Sequence, residues 1–130
     1  MPAGAMPDCL RYFENLSKNI ISKQYLDLDP EKFKFNGSFS LYENDDFIQG
    51  HRDGANPGTV CVILIYISKE EDYFDGDGCL ILEDTDVYEK VIPVRGNYVL
   101  LDFTKHNLIH SVNKVKNNFK RYCYINFVSI

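Results

Sequence analysis

Two histidines, one aspartate and one arginine are the residues whose types and spacing suggest chemistry in this chain. His51 and Asp53 stand two positions apart, His110 lies far downstream, and Arg121 follows it. Two imidazoles and one carboxylate occupy one face of an octahedral metal and leave positions open, which suits non-haem Fe(II). A guanidinium matches a carboxylate in bidentate fashion and can anchor an anion. The pattern therefore indicates an iron site with an anion anchor, which is a catalytic arrangement.

The ligand set depends on strand geometry. If residues 47–53 form a strand, His51 and Asp53 point to the same face, because side chains alternate along a strand. By itself this pair is a weak motif, and a polar turn before Gly54 accounts for it as well. His110 can enter a second strand and supply the third ligand. His106 is the rival third ligand, although its spacing to Arg121 is less favourable.

The remaining sequence predicts the elements that must position these residues. Runs of Val, Ile, Leu, Phe and Tyr, separated by turn residues, recur from residue 33 to the end. They predict eight strands, at residues 33–42, 46–53, 59–67, 79–83, 86–93, 97–103, 108–115 and 120–128. Eight short strands without helices between them favour a sandwich or barrel. The one convincing helix, at residues 8–25, is expected to brace one sheet, and a partner-binding face is the alternative.

Length and composition indicate how the chain is organised. The 130 residues are 45% hydrophobic and 25% charged, which is a globular balance with room for one core. We expect a single domain over residues 1–130, with a flexible segment at 1–7, the helix at 8–25 and the β core at 33–128. No run approaches a membrane span, and the start is too short for a signal peptide, so an intracellular, cytoplasmic protein without a membrane partner is expected.

The charge distribution limits the partners. A formal charge of −5 argues against nucleic-acid binding as the main role. The C-terminal part is locally basic, which suits an anionic co-substrate, although a solvated surface explains most of its cations: Lys105, Lys114, Lys116, Lys120 and Arg121. The last predicted strand could leave an edge for pairing, so the expected state is a monomer or weak dimer.

Two other metal or redox interpretations lack support. Cys9, Cys61, Cys79 and Cys123 have no C-x-x-C spacing, and we expect all four to be reduced core residues. The acidic segment at 70–78 contains Gly and Asp like a calcium loop, but the ligand register and the terminal Glu are missing. A solvated hairpin is therefore favoured for this segment.

Several short segments together carry a family resemblance from about Phe39 to Val128. They are His51-Arg52-Asp53, Ile65-Tyr66-Ile67-Ser68, Gly78-Cys79-Leu80, Phe103 ahead of His110-Ser111-Val112, and Lys120-Arg121-Tyr122. In these segments the chain resembles the 2-oxoglutarate and Fe(II)-dependent oxygenases, in particular their prolyl 4-hydroxylase-like branch, which includes the oxygen-sensing prolyl hydroxylases. Two departures are Ile48, where many prolyl hydroxylases have a tyrosine, and Ile125, which replaces a polar residue in the last strand.

The resemblance implies a double-stranded β-helix of the jelly-roll or cupin type. It implies His51, Asp53 and His110 as iron ligands, with Arg121 and Tyr66 binding the distal carboxylate of 2-oxoglutarate. The cofactors implied are Fe(II), 2-oxoglutarate and O2, with ascorbate as a reductant. The reaction implied is a dioxygenase reaction that hydroxylates a C–H bond, first of all in a prolyl residue of a protein or peptide. A hydroxylase of a small molecule, such as a free amino acid, and a non-catalytic metal-binding module remain as alternatives.

Overall fold

The described residues form one α-helix and eight strands. A computed structural model describes residues 8–25, 29–52, 58–74, 76–103, 108–116 and 118–130. Helix α1 spans Asp8–Gln24, and single 3-10 turns lie at Pro30–Lys32 and Glu70–Asp72. The strands are β1 (Lys34–Tyr42), β2 (Ile48–His51), β3 (Thr59–Tyr66), β4 (Leu80–Asp84), β5 (Val87–Val91), β6 (Tyr98–Asp102), β7 (Ile109–Val112) and β8 (Arg121–Ser129). All eight predicted strands and the predicted helix are therefore confirmed.

The strands form two antiparallel sheets of four. Sheet A has the order β1-β8-β3-β6, and sheet B has the order β2-β7-β4-β5. The chain crosses between the sheets after most strands, and β4-β5 is a hairpin within sheet B. This connectivity is that of a double-stranded β-helix, or jelly roll, so the predicted fold class is confirmed.

Two hydrophobic layers hold the fold together. The layer between the sheets contains Leu64, Leu80, Leu82 and Val112, among other buried residues. The second layer joins sheet A to α1, whose apolar residues pack on Ile63 and neighbouring side chains. Strand β3 contributes to both layers, which explains why its sequence is apolar on both faces. The helix thus packs on one sheet, as predicted.

Two expectations about polar chemistry can be compared with the fold. Cys61, Cys79 and Cys123 are free and buried, but the prediction that Cys9 is a core residue is wrong, because this thiol is exposed on the first turn of α1.

The acidic segment includes the 3-10 turn Glu70–Asp72. Within the part of the chain that the structure describes, no three His, Cys, Asp or Glu side chains form a metal-binding group. None of the described helices is long and apolar enough to cross a membrane.

Candidate active site

His51 and His110 come together at one end of the interior. They face each other across the β2–β7 pair, and their ring centroids are 4.1 Å apart at an interplanar angle of 59°. The structure therefore brings together two of the side chains that the sequence analysis names as metal ligands. Asp53, the predicted carboxylate ligand, and His106, the rival third ligand, lie outside the described residues.

A β-bulge aims His51 inward. Ile48 pairs with Val112 and His51 pairs with His110. Between these two pairs β2 advances by three residues, whereas β7 advances by two. Without the extra residue, alternation would place Ile48 and His51 on opposite faces. The bulge turns His51 to the same face as His110, which is buried.

The hydrogen bonds of both rings favour the same tautomer. Nδ1 of His51 lies 2.9 Å from the carbonyl oxygen of Gln49, and Nδ1 of His110 lies 3.4 Å from that of Leu108. A carbonyl oxygen accepts, so Nδ1 is the donor in each ring, and Nε2 then carries the lone pair that ligates metals. The two imidazoles are therefore chemically suited to share one metal ion.

Arg121 lies at the other end of the same interior. Backbone bonds join Val115, beyond the end of β7, to Asp45 and Asp46, in the loop that leaves β1. Arg121 pairs with Tyr42, the last residue of β1, so it belongs to that end, whereas His110 lies toward the start of β1. The interior of the jelly roll thus has two imidazoles at one end and a guanidinium at the other.

The guanidinium of Arg121 is held but not fully paired. Its side chain is 1% exposed, and its Nε donates a 2.7 Å hydrogen bond to the carbonyl oxygen of Gly78. Its Nη2 and the Tyr66 hydroxyl are both buried, and neither has a hydrogen-bond partner among the residues that the structure describes. Buried donors without partners are costly and rare in folded proteins. These two donors, one of them on the Arg121 cation itself, mark a place where a carboxylate fits.

Two tyrosine rings flank the cation. The Arg121 guanidinium carbon lies 5.2 Å from the centroid of Tyr66 and 5.1 Å from that of Tyr42. Burial raises the pKa of both phenols, and the positive charge of Arg121 partly opposes that rise. Both hydroxyls are therefore neutral donors near pH 7, as an anion site requires.

Sequence reasoning missed Tyr42 and the steric role of Gly78 in this anchor. Tyr42 gave no signal, because its position opposite Arg121 depends on the β1–β8 register, which the sequence does not reveal. Gly78 was noted as part of a motif, but its role is steric. A Cβ built there would lie 2.9 Å from Cδ of Arg121 and from Cγ2 of Val115, and its φ of +59° also favours glycine.

The comparisons with known proteins give the fold a context. No family model matches the sequence, and no curated protein matches it. Among solved structures, the chain is similar to a prolyl-4-hydroxylase from Pseudomonas putida, with 20% identity over 99% of this chain and 70% of that one, at a TM-score of 0.70. It is similar to the viral collagen prolyl hydroxylase of Paramecium bursaria Chlorella virus-1, solved with 2-oxoglutarate, at 13% identity over 96% and 76% of the chains, with a TM-score of 0.66.

A third similar structure is a prolyl hydroxylase from Trichoplax adhaerens in complex with a peptide fragment of the hypoxia inducible factor oxygen degradation domain. The identity is 17% over 92% of this chain, at a TM-score of 0.69. This chain spans 55% of that protein. Identities at this level show a shared fold, and the chemistry must be argued from the residues themselves.

Proposed function

We propose that the chain is a 2-oxoglutarate- and Fe(II)-dependent dioxygenase that hydroxylates a C–H bond, most favourably in a prolyl residue of a protein or peptide. One observation carries this proposal. Among the residues that the structure describes, the buried Nη2 of Arg121 and the Tyr66 hydroxyl have no hydrogen-bond partner, and they lie at one end of an interior whose other end holds His51 and His110. A dicarboxylic keto acid has an anionic group for each end of such a site.

Each side chain has a distinct role in this proposal. His51, Asp53 and His110 hold the iron, and Arg121 with Tyr66 binds the distal carboxylate of 2-oxoglutarate. When bound, Fe(II) supplies the oxygen chemistry that couples decarboxylation of the keto acid to hydroxylation. The surrounding residues orient the keto acid and exclude water from it. The apolar layer between the sheets performs the second task, because Leu80 and Leu82 are buried beside Tyr66.

The similar structures support the reaction class and one substrate class. One of them is a viral collagen prolyl hydroxylase with 2-oxoglutarate, and another was solved with a peptide fragment. A peptide is therefore our first choice of substrate. A small-molecule hydroxylase would be active without any peptide, and a non-catalytic module would form no succinate.

The first experiment needs no knowledge of the substrate. Fe(II) and then 2-oxoglutarate are added without oxygen, and the visible charge-transfer band of the chelate is recorded. We expect a band with the wild type and none with His110→Ala or Asp53→Ala. The control Asp86→Ala removes a carboxylate that lies in the β4–β5 turn, and it should keep the band. A folded wild-type protein without the band would refute the proposal.

Titrating 2-oxoglutarate in the same assay tests the anchor. Arg121→Lys keeps the charge but loses the Nε bond to Gly78 and the planar fork. Charged hydrogen bonds contribute about 1.5–3 kcal/mol, so the Kd for 2-oxoglutarate should rise by about tenfold to a hundredfold. An unchanged Kd would remove Arg121 from the site and leave the metal ligands standing.

A further inference from the structure

A groove lies beside α1 on the outer face of sheet A. Its volume is about 570 Å³, and Ile65 and Ile67 are among the residues that line it. Both isoleucines belong to or pack against the layer beneath the helix. Tyr66, between them, turns its ring the opposite way, toward Arg121 in the interior. Sheet A therefore separates this groove from the candidate active site.

The walls of the groove are one face of α1 and the turn that leads into β6. The helix residues recur every three or four positions, so they share a face: Tyr12, Leu16, Asn19, Ile20 and Lys23. The opposite wall runs from Arg95 to Tyr98, and Tyr98 pairs with Ile65 in the β3–β6 ladder. The helix packs mainly over β1 and β8, which leaves this space beside it over the end of β3.

The groove presents apolar and aromatic surface to solvent. Tyr12 is 61% exposed and Tyr98 is 55% exposed, and they lie on opposite walls. Leu16, Ile20 and Ile67 are half-buried. Concave sites lined by apolar and aromatic side chains, with a few polar groups, are typical of small-molecule binding. The groove thus suits a molecule with an apolar body.

Charge selects the kind of molecule. The chain has 19 acidic and 14 basic residues, for a formal charge of −5. Among the described residues that line the groove, none is acidic, whereas Lys23 and Arg95 are basic and exposed. Glu71 and Asp72 line a neighbouring groove that shares Arg95 with this one. An acidic protein that lines a concave apolar surface with cations is complementary to an organic anion.

The two cations lie toward different ends of the groove. Lys23 is in the last turn of α1. Arg95 donates its backbone N–H to the carbonyl oxygen of Ser68, just beyond the end of β3. The first turns of α1 lie at that end of the sheet, because Phe13 stacks on Tyr124, which pairs with the end of β3. The helix rises by about 15 Å from Phe13 to Lys23, so the surface between the cations can hold an elongated ligand.

We propose that the groove beside α1 binds an elongated carboxylate with an apolar body. The planar guanidinium of Arg95 binds the carboxylate, for which its fork of donors is matched. Ile67 contacts the apolar body, which the rings of Tyr12 and Tyr98 flank. Lys23 adds a second positive charge, and its aliphatic stem extends the apolar wall. This site is independent of the iron and 2-oxoglutarate sites proposed above.

Fluorescence of anilinonaphthalene sulfonate, an aromatic anion, tests the site on the full chain. We expect saturable binding to the folded protein, and displacement of the dye by decanoate. Decyltrimethylammonium has an alkyl chain of the same length and a cationic head, so it should displace the dye far less. The absence of saturable binding, or equal displacement by the two amphiphiles, would overturn the proposal.

Charge variants test the two cations. Arg95→Glu and Lys23→Glu should each weaken decanoate binding by about threefold or more, since each replaces an attraction by a repulsion. Lys90→Glu makes the same charge change on β5, outside the groove, and should leave the affinity unaltered. If all three variants bind decanoate like the wild type, the cations do not recognise the anion and the proposal fails.

A filling variant tests the apolar contact. Ile67→Trp places an indole in the groove and should reduce decanoate binding by about tenfold or more. Val87→Trp adds the same ring at an exposed position of β5 and serves as the control. Circular dichroism establishes that each variant is folded, and the charge variants decide the matter if Ile67→Trp is not. A folded Ile67→Trp protein with wild-type affinity would place the ligand elsewhere.

Amide NMR shifts on adding decanoate locate the ligand. We expect the largest shifts at Asn19, Gly96 and Asn97, which line the groove. Shifts centred on Gly78 and His110 would mean that the anion enters the interior instead, and the proposal would fail. It would also fail if dilution of the free protein shifted the same groove amides as a dimer dissociated, because the groove would then be an interface between two copies.

Discussion

At the scale of single residues, Tyr66 is where stability and binding oppose each other. Its hydroxyl is buried, and no partner for it lies within the described segments. Burying a hydroxyl without a hydrogen bond is unfavourable, so the apoprotein bears a cost at the place where the proposed co-substrate would supply an acceptor. Removing that hydroxyl should therefore have opposite effects on the two properties.

The variant Tyr66→Phe tests this opposition. It keeps the ring beside Arg121 and removes the hydroxyl alone. We expect the free energy of unfolding of the apoprotein to rise by about 1 kcal/mol, and the Kd for 2-oxoglutarate to rise by about threefold to tenfold. Urea unfolding and titration of the Fe(II) complex measure the two quantities. Weaker binding with no gain in stability would mean that the hydroxyl is satisfied in the apoprotein.

The residues of the candidate site were predictable to different degrees. His51, His110 and Arg121 were proposed from residue type and spacing, because imidazoles and a guanidinium have few uses in a buried β core. Tyr42 was not found, since aromatic residues are common in strands and its contact with Arg121 depends on register.

At the scale of elements, the strands were predicted better than their ends. The apolar alternation after His110 predicts a strand to residue 115, but β7 ends at Val112. Val115 is nevertheless fully buried and forms backbone bonds with the loop after β1. Burial thus continues beyond the sheet ladder, and a hydrophobic pattern reports burial rather than pairing. The bulge that orients His51 in β2 likewise has no signature in alternation.

The contact between α1 and sheet A gives the prediction at this scale. Phe13 stacks on Tyr124 with centroids 5.2 Å apart, and the ring of Tyr124 lies over Gly37 of β1. A Cβ at Gly37 would fall 2.6 Å from Cζ of Tyr124, which is a severe overlap with a buried ring. The absence of a side chain at Gly37 is therefore what allows the tyrosine to pack between strand and helix.

We expect Gly37→Ala to lower the free energy of unfolding by about 1–3 kcal/mol, the usual cost of overpacking a core. Gly50→Ala is the matched control in β2, because its Cβ would meet a single methyl group at 3.1 Å. Chemical denaturation of both variants gives the comparison. Equal and small losses would show that Tyr124 moves aside without cost, and that the helix is less firmly fixed to sheet A than its packing suggests.

At the scale of the whole molecule, buried thiols link stability to alkaline pH. Burial, assisted by the negative charge of Asp102, raises the pKa of Cys61 from 9.0 to about 12. Burial also raises the pKa of Cys123 from 9.0 to about 11, although Arg121 opposes the rise. The two thiols belong to different layers, Cys61 beneath the helix and Cys123 between the sheets. Together they report whether both layers exclude water.

The direction of the effect follows from where each state loses its protons. Below pH 9 the thiols are protonated in the folded and unfolded states, so they contribute no pH dependence. Above pH 9 the unfolded chain releases protons that the folded chain retains, and the free energy of unfolding falls by about 1.4 kcal/mol per pH unit for each thiol. The phenols, whose ordinary pKa is 10.0, begin to release protons in the same range, so the share of one thiol is obtained from the difference in slope between the wild type and a thiol variant.

We therefore expect the wild type to lose stability between pH 9 and 10, and Cys61→Ala to lose it less steeply, by the share of one thiol. Cys9→Ala removes the exposed thiol and should leave the slope as it is. Urea unfolding at closely spaced pH values measures all three. If Cys61→Ala keeps the wild-type slope, the layer between α1 and sheet A is open to water, and the helix does not seal the outer face of the sheet that carries Arg121.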